Sequence, residues 1–135
     1  DLYSSAAAGS PIILLGEDPS RQLIQSSSPR AGFFADLFRP VFGMPFDRRH
    51  WENNSVEALA HTGRIQNLKI YMAYGTADRY LKVFPMEQGI QSIQKILTER
   101  GISHMVRVYE GEPHGWGLIR THLREILEFV TQTFE

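Results

Sequence analysis

With 135 residues, 42% hydrophobic and 21% charged, the chain has the size and composition of a single globular domain around one core. A formal net charge of −1, with Lys and Arg spread along the sequence, excludes the basic footprint of a nucleic-acid binder. The absence of cysteine excludes disulfides and thiolate metal sites, and the longest apolar run, Pro11 to Leu15, falls far short of the roughly 20 residues a membrane span needs.

The chain passes almost at once into a small, apolar stretch over residues 3–15. Ala6-Ala7-Ala8 suits a strand packed tightly on both faces, and Gly9-Ser10-Pro11 suits its exit. A core strand so close to Asp1 predicts that other parts of the domain come from elsewhere. Residues 16–30 are polar. From Ala31 the composition turns aromatic, with Phe33, Phe34, Phe38, Phe42, Phe46 and Trp51, while Pro40 and Pro45 argue against long regular elements. Residues 16–67 therefore read as a cap-like excursion packed onto the main domain. Its aromatics either wall an acyl or aryl pocket or simply pack the cap itself. Within it, 54–62 reads as a short helix with Asn54 as N-cap, Glu57 three residues on and Gly63 after its end.

The second half is sharper. Residues 68–74 form a strand apolar on both faces, as in a buried parallel sheet. Pro85 introduces a helix with Met86, Ile90, Ile93 and Leu97 on one face, ended by Gly101. Residues 104–109 are the next strand, and 118–134 a last helix striped by Ile119, Leu123, Ile126, Leu127 and Val130. Strand, helix, strand, helix with short loops predicts a right-handed βαβ crossover and a parallel sheet in an α/β layered fold. So thin a sheet leaves a long apolar edge, which a missing N-terminal half or a partner chain is expected to cover.

Parallel strands bring their C-terminal ends to one edge, where open α/β folds bind ligands. Two polar loops leave that edge: Gly75-Thr76-Ala77-Asp78-Arg79 and Glu110-Gly111-Glu112-Pro113-His114-Gly115-Trp116. Either loop alone could be an ordinary surface turn. Together they place a carboxylate and an imidazole on one rim, the pair that a hydrolytic nucleophile needs: the acid orients the imidazole, and the imidazole moves the proton. Asp then His, followed by an amphipathic helix, is also the tail of the α/β-hydrolase order Ser…Asp/Glu…His.

On these residues the chain resembles the esterase family that includes esterase D-like, tributyrin-type and feruloyl esterases. The resemblance rests on Gly75-Thr76-Ala77-Asp78, Gly101-Ile102-Ser103-His104 and Gly111-Glu112-Pro113-His114-Gly115-Trp116. Upstream it extends to Phe42-Gly43-Met44-Pro45, Trp51-Glu52-Asn53-Asn54-Ser55 and Asp1-Leu2-Tyr3-Ser4-Ser5-Ala6. It implies the C-terminal part of an α/β-hydrolase fold, a serine carboxylesterase acting through an acyl-enzyme on small-molecule esters, Asp78 as catalytic acid and His114 as catalytic base. Trp116 is placed against the substrate, and no cofactor is expected.

The chain departs from the pattern in one decisive way: it has no Gly-x-Ser-x-Gly elbow, and no nucleophile is assigned. Ser10 is followed by Pro11, which lacks the backbone N–H an oxyanion hole uses, and Ser4 and Ser5 have no flanking glycines. The histidine loop, Gly-Glu-Pro-His, also differs from the Gly-Gly-His step of many relatives. The residues alone therefore leave room for a non-catalytic binding or structural module, or an acyltransferase of the same fold. His50, His61, His104, His114 and His122 show no ligand spacing, so no metal site is expected, and no Gly-rich phosphate loop occurs.

Overall fold

Three parallel strands organise the protein in a computed structural model that describes residues 5–9, 11, 13, 36, 39–43, 46–62 and 68–131. They are β1 (Ser5–Gly9), β2 (Lys69–Gly75) and β3 (His104–Tyr109), hydrogen-bonded in that order. Between them come α1 (Arg48–Asn54), α2 (Val56–Thr62) and α3 (Met86–Glu99), and α4 (Trp116–Thr131) follows. Among the described residues this is a mixed α/β fold with a small parallel sheet and flanking helices. No helix among them is long and apolar enough to cross a membrane.

The period-2 alternation of β2 builds two cores. Met72 and Tyr74 point to one face, with Ile70 partly buried beside them, and meet Ile90, Ile93, Ile96 and Leu97 of α3. Tyr71 and Ala73 point to the other face and meet Leu118 and Phe129 of α4. Both helices lie on the sheet because their apolar residues recur every three or four positions. Helix α3 ends in a Schellman motif. Gly101 takes φ +65°, its N–H donates to the Thr98 carbonyl, and the Ile102 N–H donates to Leu97, so the chain turns straight into β3.

The described part of the aromatic segment packs on the α3 side. Trp51 and Ala60 are buried in the same cluster as α3, and Phe42 meets Trp51 edge-on at 4.9 Å. Phe33, Phe34 and Phe38, with all of 16–35 and all of 63–67, lie outside the described residues, as do Ser4 and Ser10. Two local expectations are corrected. The N-cap of α2 is Ser55, not Asn54: Ser55 Oγ accepts from the Ala58 N–H at 3.1 Å, while Asn54 Nδ2 donates back to the His50 carbonyl and closes α1. In β1, Ala6 to Gly9 are exposed rather than packed on both faces, because β2 is the strand's one sheet neighbour among the described residues.

Candidate active site

Beyond the paired ends of β2 and β3, Gly75 opposite Tyr109, the two loops stay zipped together. The Thr76 N–H donates to the Tyr109 carbonyl at 2.9 Å, the Ala77 N–H to the Glu112 carbonyl at 3.2 Å, and the Gly111 N–H to Thr76 Oγ1 at 2.8 Å. This close approach requires glycine at 75, where a Cβ would lie 1.9 Å from the Glu112 carbonyl oxygen. The zipper sets residue 78 against residue 114.

Asp78 and His114 meet there. Asp78 caps a single 3-10 turn over Arg79–Lys82, its Oδ1 accepting from the Tyr80 N–H at 2.9 Å. Its Oδ2 accepts from His114 Nδ1 at 2.8 Å. A carboxylate only accepts, so Nδ1 is the donor, and in the neutral imidazole the lone pair is then on Nε2. Asp78 is 3% exposed, and burial without partners would be costly; a hydrogen bond to each oxygen offsets that cost. The His114 side chain is 29% exposed, so part of the ring faces solvent.

The aromatic ring against His114 is Tyr80, with centroids 4.5 Å apart and planes at 82°. Trp116, which the sequence places near the base, opens α4 and is 75% exposed; among the described residues it makes no ring contact with the imidazole. Tyr80 carries no signal in the sequence. It lies in a turn without periodicity, and its role depends on the fold of that turn.

Behind the pair runs a polar network joining β2, β3 and α4. Tyr71 and Tyr109 hydroxyls lie 2.7 Å apart, the Tyr109 hydroxyl donates to Glu125 Oε2 at 2.7 Å, and Arg107 Nε donates to Glu125 Oε1. Each phenol has one proton, so Tyr71 donates to Tyr109 and Tyr109 to Glu125. Burial, then the bonds to Tyr71 and Glu125, push the Tyr109 phenol well above its ordinary range; burial raises Tyr71 too. Bonds from Tyr109 and Arg107 hold the Glu125 carboxyl below its usual range. The His122 ring stacks on Tyr109, centroids 3.4 Å apart, with its Nε2 3.8 Å from Glu112 Oε1.

Compared with protein-family models and with curated proteins, the chain finds no match in either. The site's own geometry therefore carries the functional reading. Among the described residues no group of three His, Asp or Glu could hold a metal ion. His50 and His61 are exposed on α1 and α2, and His104 Nδ1 donates to the Ile102 carbonyl at 2.8 Å. What remains is a buried acid bonded to a half-open base at the C-terminal edge of a parallel sheet. Such a pair can take a proton from a nucleophile and return it to a leaving group.

Proposed function

We propose that Asp78 and His114 are the acid and base of a serine carboxylesterase of α/β-hydrolase type. The observation that carries this is the 2.8 Å bond from His114 Nδ1 to a buried Asp78, which leaves Nε2 as the base. A serine outside these 135 residues supplies the nucleophile, since no elbow sequence is present. Nε2 takes the hydroxyl proton as the serine oxygen attacks the ester carbonyl, then delivers it to the departing alkoxide. Water, deprotonated by the same nitrogen, attacks the acyl carbon; the bond to the serine oxygen breaks, that oxygen takes the proton back from Nε2, and the carboxylic acid leaves. Asp78 stabilises the imidazolium at both steps. Trp116, exposed two residues beyond the base, lines the approach of a small-molecule ester. The exposed edge of β1 receives the polypeptide that brings the serine.

The test is hydrolysis of short-chain nitrophenyl esters by the protein that carries both these residues and the nucleophile. Asp78→Asn and His114→Ala should each lower kcat by about three to four orders of magnitude. Wild-type kcat/KM in both variants would reject the assignment. The missing elbow specifically favours a second reading, a binding module that keeps the fold without the chemistry. A family-like sequence upstream of Asp1 with its elbow serine replaced would establish that reading instead.

A further inference from the structure

We infer that Tyr80 is the positioning residue of the pair, its ring setting the plane of the His114 imidazole. The inference rests on the acid–base reading of Asp78 and His114. One hydrogen bond fixes where Nδ1 lies, but the tilt of the ring is set by what it packs on. The loop around the base offers little support: Gly115 follows at φ +126° with open space where a Cβ would be, and Trp116 turns outward into solvent. Tyr80 presents its ring at 4.5 Å and 82°, an edge-to-face contact of the kind aromatic pairs prefer.

Tyr80 is itself held from several sides. The Arg79 guanidinium carbon lies 4.9 Å from its ring centroid, and Arg79 Nη2 donates to the phenol at 3.3 Å. The Phe84 ring is 6.1 Å away, and the Tyr80 carbonyl accepts from the Val83 and Phe84 N–H groups, each at 2.9 Å. Its backbone N–H meanwhile fixes the far oxygen of Asp78. One residue thus orients both members of the pair, the acid through its main chain and the base through its side chain. A side-chain substitution removes only the second action, so the two can be separated.

Proton NMR of the full chain provides the test, because the shared Nδ1–H proton gives a far-downfield signal whose exchange with water reports how firmly the ring is held. Wild type and Tyr80→Phe, which keeps the ring, should show the signal with similar exchange lifetimes. Tyr80→Ala should shorten that lifetime about two- to tenfold, the range expected for losing one aromatic pair. Tyr80→Leu keeps apolar bulk in the turn and gives the same reading if the alanine variant does not fold. An unchanged lifetime in a folded Ala or Leu variant overturns the role of Tyr80 and leaves the acid–base pair standing. A wild-type spectrum without the signal, matching Asp78→Asn, overturns the pair and Tyr80's role with it.

Discussion

Gly75 has no side chain, yet the site depends on it. Its backbone runs so close to Glu112 that an added methyl would meet the carbonyl oxygen at 1.9 Å and the Glu112 Cβ at 2.8 Å. The obstruction is mostly backbone, so it cannot swing aside as a flexible side chain would. Gly75→Ala must therefore part the two loops, lengthening the Ala77-to-Glu112 bond and then drawing Asp78 away from His114. We expect a loss of about 1–3 kcal/mol of stability, typical of overpacking, measured by urea unfolding. The downfield proton of the pair should vanish in the same variant, whereas Gly117→Ala, with nothing within 4 Å of the added Cβ, should retain it.

Helices α3 and α4 differ in how completely their apolar stripes are covered. Leu97 of α3 is fully buried against β2, while Leu127 of α4 is 51% exposed, although both sit on stripes of the same period. Leu97→Ala should cost about 2–5 kcal/mol through lost burial and the cavity left behind, and Leu127→Ala less than about 0.5 kcal/mol. Thermal unfolding of the two variants measures the contrast. Comparable losses would mean that Leu127 is buried in solution against another surface. The stripe of α3 was legible in the sequence, as were both strands of the second half, because period and breakers agree there: Pro85 opens α3 and Gly101 closes it. The stripe of α4 was read only in part: Ile119, Ile126 and Val130 pack against the sheet, but Leu123 and Leu127 are exposed, and Leu118 and Phe129 are the residues that are buried. Strand β1 was misread because small apolar residues fit a crowded strand and an edge strand equally well. The start of α2 was misread because Asn54 and Ser55 are adjacent residues of capping type, and only the bond from Asn54 back to His50 assigns it to α1. Asp78 and His114 were legible since each lies in the loop that leaves the C-terminal end of a parallel strand. Tyr80 and the need for Gly75 were not, since both arise from the way two loops lie on each other.

Across the whole molecule, the Tyr71–Tyr109–Glu125–Arg107 network ties the middle strand, the last strand and the last helix together, and it makes stability depend on pH at two ends. Glu125 has a carboxyl held below its ordinary 4.5, by bonds from Tyr109 and Arg107 in that order. A depressed carboxyl stabilises the fold above its unfolded value, and that contribution disappears as pH falls through the folded value. The phenols have the opposite sign. Tyr71 and Tyr109 are raised above their ordinary 10.0, chiefly by burial, so their contribution is whole below that value and is lost as pH rises through the folded one. Wild type should therefore hold a plateau through neutrality and weaken on both sides. Glu125→Gln keeps an acceptor for Tyr109 but has no carboxyl to titrate. Urea unfolding across a pH series should show wild type above this variant at neutral pH, with the gap closing as pH falls below about 4.5. A gap that stays constant into acid would mean that Glu125 ionises in the folded protein as it does in the unfolded chain, and the network would then lack the acid limb assigned to it.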